Sequence, residues 1–416
     1  MRVWITEISE PLPIDPGERR WRCGQLSAEL CGAGHQVTWW HSTFHHLDKR
    51  YRYHRPQSVS VAPNYNIHFL HATPYSRNIS LARVLNHALL GAEFRIWAER
   101  EARPDVIVCA MPTIDLSFAA VHYGKRHGVP VLVDVRDLWP DIFVDVTPAP
   151  FKPLTRLALA PEFARIRAVM HGASAISGVS PAFVRWGLNY AGREAGPFDG
   201  PFYLGYERRE LSPAALRAET EKLIALGVDP GRFVCCYIGL FREKMVELDL
   251  VIRVARQLEA EGDRRFQFVF CGQGEMDESW RRQARGLTSV VFTGWLGAEA
   301  LSALMALSKA GLATYRPGAP LSLPNKPIEY FSGYLPILNS LPGELRELVA
   351  ERKLGLTYDA GNPESFRRAL LELAGNEPLY LAMRQAVQEN FHRDFEGRVI
   401  YRRYRERLEA LVARGA

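Results

Sequence analysis

Four aspartates, an arginine and a tryptophan crowd into "VLVDVRDLWPDIFVD" (131–145), where an apolar run ends in charge. Such a stretch can be a metal site, a catalytic carboxylate with its support, or a polar strand end. Asp134 and Asp137 are three apart with no D-x-D pair, so an extended chain sends them to opposite faces and they are not expected to converge on a metal. In "YIGLFREKMVELDLVI", Gly239 opens a turn that carries Arg242 and Lys244 before a helix. Two cations beyond a strand end suit a diphosphate whose charge needs neutralising as it leaves; they also suit plain solvation. "FVFCGQGEMDE" places Gly272 and Gly274 at another strand end, with Asp277 where a G-x-G-x-x-G motif would need its last glycine. These glycines offer backbone room for a ligand, or only a tight turn. "YRPGAPLSLPNKPIEYF" predicts a short helix from about Asn325, with free backbone N–H groups near Ser322 and Leu323. Glu329, a turn into that helix, could accept both hydroxyls of a ribose, or pair with Lys326 on the surface.

Short β-rich runs alternating with amphipathic helical ones position these groups, as in parallel sheets covered by helices. The first series runs through "RVWITEIS", "HQVTWWHS", "NIHFLHAT", "PDVIVCAM", "VPVLVDVRD" and "ASAISGVS". After "PFYLGYERRE" it restarts with "RFVCCYIG", "FQFVFCG", "TSVVFTG", "GLATYRP" and "LPILNS". An α/β fold of two Rossmann-like, doubly wound halves facing a cleft follows, with ligands expected beyond the C-terminal strand ends.

Composition narrows the classes. The 416 residues carry a net charge of +6, with 47% hydrophobic and 24% charged residues, as in a globular protein of two or three domains. No apolar run approaches the ~20 residues of a membrane span, and the N-terminal stretch lacks a signal-peptide core. A cytoplasmic chain is expected, with any membrane contact peripheral. Seven of the 12 histidines lie between His41 and His87, and eight Lys/Arg against three Asp/Glu between His41 and Arg100. That basic segment would draw phosphates, anionic headgroups or nucleic acid. His45 and His46 lack the cysteine or carboxylate partners of a zinc site. The nearby Arg50, Tyr51, Arg52 and Tyr53 mix cations with apolar surface. The six cysteines form no C-x-x-C pair; Cys109, Cys235, Cys236 and Cys271 sit in strand-like runs and read as core.

The order of "GLFREKMVELDLVI", "FVFCGQGE", "VVFTGW" and "LPNKPIEYFSGYLPIL" resembles the nucleotide-sugar half of retaining GT-B glycosyltransferases of family 4. The first matches that family's "G-R-L-x-x-x-K-G" turn with a shortened loop, Met245 replacing the glycine. "VLVDVRDLWPD" resembles the "E-V-R-D-L-W-P-E" motif of its fucosaminyltransferase-like subgroup, which acts in O-antigen and capsule assembly. The resemblance implies that Arg242 and Lys244 hold the donor diphosphate, that the backbone around Trp295 meets the base, and that Glu329 holds the ribose. It implies that Asn325 and Lys326, in place of the usual apolar pair, add donor contacts. The family's first acid falls at Leu321 here, so Ser322 or backbone amides would have to substitute. Gly17 and Glu18 stand where the wider family has a two-glycine loop; Glu18 would touch a sugar, or serve only as a helix N-terminal charge. With that resemblance His45 and His46 are read as acceptor contacts, and Arg50, Tyr51, Arg52 and Tyr53 supply the cations and apolar groups that a polyprenyl-diphosphate acceptor would need. Many relatives carry "H-D" where this chain has Arg136 and Asp137. Asp137 then becomes the candidate beside the acceptor hydroxyl or reacting carbon, as base or as electrostatic support, with Arg136 near phosphate or acceptor.

The expectation is therefore a retaining transferase moving a sugar from a UDP-sugar, without metal or prosthetic group, to a saccharide or polyprenyl-linked acceptor in surface-polysaccharide assembly. It would bind no nucleic acid and could meet the inner membrane at its cytoplasmic face. A UDP-sugar 2-epimerase of the same fold, or a non-catalytic nucleotide-sugar binder, are the rivals. Expected domains are 1–205 for the acceptor and 206–392 for the donor, with 393–416 returning as a helix to the first.

Overall fold

Both halves of the chain alternate strand and helix. In the computed structural model, which describes residues 1–15, 20–319 and 321–415, contacts divide the chain into Met1–Tyr203 with Ile400–Ala416, and Leu204–Val399.

The first unit contains β1 (Arg2–Thr6), β2 (Gln36–Ser42), β3 (Phe44–His45), β4 (Arg50–Tyr51), β5 (Gln57–Ala62), β6 (Tyr65–Leu70), β7 (Val106–Met111), β8 (Val131–Val135), β9 (Ala175–Gly178) and β10 (Gly200–Pro201). Eight of these form one sheet in the order β10-β9-β8-β7-β1-β2-β6-β5. All its pairings are parallel except β5 with β6, while β3 and β4 form a separate antiparallel ribbon. Strands β7 and β8 are buried along their whole length because helices cover both faces, which is why they read as unbroken apolar runs. Strand β5 was not anticipated. Its "SVSV" alternation was the available signal, and it suits a half-exposed edge. Trp4 anchors the core on one face, edge-on to Trp40 at 5.1 Å and to Phe94 at 6.1 Å.

The second unit holds β11 (Phe233–Ile238), β12 (Phe266–Cys271), β13 (Val290–Gly294), β14 (Ala310–Ala313), β15 (Ile337–Asn339) and β16 (Gly355–Thr357). Its parallel sheet runs β13-β12-β11-β14-β15-β16. The three-residue β16 is too short for periodicity to reveal. Strand order reverses at β1 in the first sheet and at β11 in the second. In doubly wound sheets the crevice at such a reversal, beyond the carboxyl ends, is where ligands sit.

The last helix, Gly397–Gly415, belongs to the first unit from Ile400 onward. There Tyr404 stacks on Phe202 at 4.1 Å and Arg405 pairs with Glu29 at 3.0 Å. The divisions fall after Tyr203 and Val399 rather than after 205 and 392. The later one is displaced because the π-turn Phe391–Phe395 still packs in the second unit, with Phe395 against Phe331 at 5.5 Å. Among the described residues no helix is long and apolar enough to cross a membrane.

Candidate active site

At the reversal of the first sheet, charge is buried and internally satisfied. Asp134, on β8 and fully buried, accepts Arg22 Nε at 2.7 Å and Nη2 at 2.8 Å, Arg136 Nε at 2.9 Å and Ser177 Oγ at 2.7 Å. Two guanidinium groups hold its carboxyl well below the usual range despite burial. Arg22 also donates to the Phe202 carbonyl at 2.7 Å. Glu10 takes the Cys23 backbone N–H at 2.8 Å, caps the helix Arg22–Gly32, and pairs with Arg136. Arg136, expected near phosphate or acceptor, is instead occupied by Asp134, Glu10 and the Cys23 sulfur. Asp141 accepts Trp186 Nε1 at 2.9 Å and the Tyr190 hydroxyl at 2.7 Å.

Asp137 lies just past β8, half-buried. Its Oδ1 accepts the Leu138 N–H at 2.9 Å and its Oδ2 the Trp139 indole N–H at 3.1 Å. Burial raises its carboxyl above the ordinary range, against those two bonds and the positive charge of Arg83. Trp139, whose peptide bond to Pro140 is cis, has the Arg83 guanidinium 4.6 Å from its ring centre and stacks on His87 at 6.1 Å. Arg83 enters from the first turn of the helix Leu81–Ala98, its backbone N–H capped by Ser80 Oγ. Tyr75 completes the cluster. It bonds His46 Nδ1 at 2.6 Å and lies under Lys49 Nζ (4.7 Å to the ring centre) and Arg83 (5.7 Å).

His45 turns the other way, onto Asp48 at 3.3 Å. The cations of the "KRYRY" stretch are likewise spoken for: Arg50 pairs with Asp48 at 2.8 Å and Arg52 with Asp15 at 2.6 Å. Sequence reading singled out His46 but missed Arg83, Tyr75 and His87. The general basicity of the segment was the only signal, because the connections after β3 and β6 and the helix Leu81–Ala98 bring these side chains together. Gly17 and Glu18 lie outside the described residues.

In the second unit the turns after β11 and β12 are zipped together. Gly239 N–H donates to Cys271 O at 2.9 Å, and Phe241 N–H to Gln273 O at 3.0 Å. Gly272 has φ +147°, and a Cβ there would lie 1.9 Å from the Gly239 carbonyl oxygen; one on Gly274 would lie 2.5 Å from that of Phe241. These glycines therefore permit close loop-to-loop approach, where their spacing alone left backbone room for a ligand or only a tight turn. Arg242 and Lys244 stand exposed on the first turn with no described ion-pair partner.

Lys326 is drawn inward. From the start of the helix Asn325–Ser332 its Nζ crosses Gly239, lies 4.4 Å from the Tyr237 ring centre and bonds the Tyr237 hydroxyl. Burial, with help from Arg242 and against Glu329, pulls its pKa down to about 8. It makes no ion pair with Glu329, whose Oε1 accepts the Tyr206 hydroxyl at 2.7 Å. Ser322 donates to Glu344 at 2.7 Å, so a carboxylate from the first residue of the helix Glu344–Arg352 reaches the segment where Leu321 leaves an acid missing. Leu323 is buried and Asn325 exposed, and Trp295, just past β13, is 65% exposed. Cationic turns, a helix start, a carboxylate and a free aromatic face thus gather beyond the carboxyl ends of one parallel sheet.

Family comparisons match this layout half by half. Residues 20–197 match a model described as "Glycosyl transferase 4-like domain", and residues 232–376 one described as "Glycosyl transferases group 1". Both halves of the chain carry glycosyltransferase domains. No curated protein sequence matches the chain. The whole fold is similar to sucrose-phosphate synthase from Thermosynechococcus elongatus (TM-score 0.70, 13% identity, 99% of each chain covered). It is also similar to HepE from Anabaena, solved in complex with UDP (0.66, 14%, 99% of this chain and 100% of the other). A third likeness is to WaaG, a glycosyltransferase involved in lipopolysaccharide biosynthesis (0.60, 14%, 93% and 94%). Two Rossmann-like domains with these relatives make the fold GT-B.

Proposed function

We propose that the chain is a retaining glycosyltransferase that moves a sugar from a UDP-sugar to a saccharide or polyprenyl-linked acceptor in surface-polysaccharide assembly, in the manner of the fucosaminyltransferase-like subgroup. The observation that carries this reading is the pair of exposed cations, Arg242 and Lys244, with no ion-pair partner among the described residues, at the strand-order reversal of the second sheet, with Lys326 beside Arg242. A departing diphosphate gathers negative charge at its bridging oxygen, and fixed cations stabilise the transition state more than the ground state. Glu329, oriented by Tyr206, would accept the ribose hydroxyls, and Trp295 would offer its face to the base. HepE is described in complex with UDP-glucose, which favours a UDP-sugar over other donors.

Asp137 would stand where the acceptor hydroxyl approaches an oxocarbenium-like centre. Its raised pKa suits a group that shares a proton, and the leaving phosphate is the second candidate to receive it. Membrane contact fits the exposed apolar residues Ile79, Leu81, Val84 and Leu85 around the start of one helix, beside Arg77, and Phe151, Leu154 and Leu157 beside Arg156.

UDP release from a panel of UDP-sugars, with and without a polyprenyl-linked saccharide fraction, tests the reading. Acceptor-dependent release is expected, an axial donor linkage should give an axial product linkage, and Asp137→Asn should lose on the order of 10²-fold in kcat. An epimer formed from donor alone would replace this proposal with the epimerase.

A further inference from the structure

The first unit holds two cations, Lys49 and Arg83, with no ion pair among the described residues. Lys49 Nζ bonds Asn78 Oδ1 at 2.6 Å, and Arg83 Nη1 bonds the Asn78 carbonyl at 2.9 Å, so one residue ties both to the same place. Both lie over the Tyr75 ring. Among the described residues neither meets a carboxylate at ion-pair distance. The histidines beside them do not compensate: burial and the adjacent cations hold His46 down at about 4 and His87 at about 3, so both rings are neutral at physiological pH. Arg83 Nε points at His87 Nε2 at 3.4 Å, which that neutral ring can accept.

This arrangement carries a cost. Both cations are partly desolvated, Arg83 repels Lys49, and Asp137 and Tyr75 act on Arg83 in the opposite sense to its burial. Lys49 also takes a left-handed backbone (φ +55°), a conformation that a residue with a side chain adopts at a cost of about 1 kcal/mol or more. A glycine or asparagine would fit that turn better; the lysine brings an ammonium to Arg83. Side chains from between β3 and β4, after β6, from the first turn of the helix Leu81–Ala98 and from after β8 converge here.

We propose that Lys49 and Arg83 form an anion subsite that receives a phosphoryl group of the acceptor, with Tyr75 and neutral His46 supplying further hydrogen bonds. A phosphoryl oxygen pair fits the guanidinium fork, and the ammonium adds a point charge. The role as acceptor subsite rests on the transferase reading above, and the subsite places the acceptor's phosphoryl group beside Asp137. Two sources share this chemistry: a soluble sugar phosphate and a prenyl-linked diphosphate.

The test is calorimetric titration of the full chain, with UDP saturating the second-unit site, using inorganic pyrophosphate, a hexose 6-phosphate and a short-chain prenyl diphosphate. At least one probe should bind. Lys49→Gln and Arg83→Gln should each weaken it about tenfold or more, Lys49→Arg should restore much of the loss, and UDP affinity should be unchanged in all three. Preference for the hexose phosphate identifies a soluble acceptor, and preference for the prenyl diphosphate a lipid-linked one. Lys49→Gln alters a half-exposed side chain, so it guards against misfolding of Arg83→Gln. The subsite is overturned if wild type binds none of the probes, or if both variants bind as wild type does. Should the chain fail to bind UDP, the transferase reading falls separately. Pyrophosphate binding lost in Lys49→Gln but kept in Lys244→Gln would still support the subsite.

Discussion

At the scale of single residues, the second unit carries its chemistry on side chains whose charge depends on where they are held. Lys326 is the clearest case. Its ammonium is pulled down to about 8 chiefly by burial against Tyr237, with Arg242 lowering it further and Glu329 opposing. The charged form attracts a diphosphate, so bound donor must raise this pKa in turn. Affinity for UDP should be flat below about pH 8 and fall above it, by up to about tenfold per pH unit until the pKa of the complex is reached. Lys326→Met should bind more weakly at neutral pH and lack that fall. Titrations at several pH values check this, and an identical alkaline fall in the variant would place the titrating group elsewhere. Asp134 shows the opposite use of charge. Paired twice over and fully buried, it is structural, and Asp134→Asn should cost about 3–5 kcal/mol in a denaturant melt because Arg22 and Arg136 lose their shared partner.

At the scale of elements, the strands that bear the site were legible because both faces of each are covered: "VIVCAM", "VLVDV", "FVCCYI" and "FQFVFC" are continuous apolar runs. The edges β5 and β16 were not read, one being half-exposed and the other three residues long. The cationic turn after β11 and the helix from Asn325 could be read locally, since each is one contiguous piece of chain. The Arg83–Tyr75–His46–Trp139 cluster could not, because its members are brought together by strand order and no local period encodes it. Nor could spacing tell that Arg136 would turn back to Glu10 and Asp134, or that Glu344 would reach Ser322. Glycine placement makes a further prediction. Gly272→Ala would set a Cβ against the Gly239 carbonyl at a φ that side chains rarely adopt, so the paired turns must separate. A loss of about 1–3 kcal/mol on thermal or urea unfolding is expected, with weakened UDP binding. Wild-type stability and binding in that variant would show that the two turns need not touch.

At the scale of the whole molecule, the chain is a GT-B fold built from two glycosyltransferase domains, with its last helix completing the first unit. The exposed apolar residues of the first unit, flanked by basic ones, predict binding to anionic vesicles that weakens with salt and falls several-fold when Leu81, Val84 and Leu85 are changed to Ser. Equal sedimentation of the triple variant with vesicles would contradict a role for that helix face. The proposed sugar transfer requires a donor site in the second unit, so the most direct measurement is calorimetric titration of UDP, against GDP, into wild type, Lys244→Ala and Glu329→Gln. Saturable one-to-one binding of UDP in preference to GDP is expected, weakened about tenfold or more by either substitution without loss of folding. No binding of UDP, a preference for GDP, or undiminished affinity in both variants would contradict it.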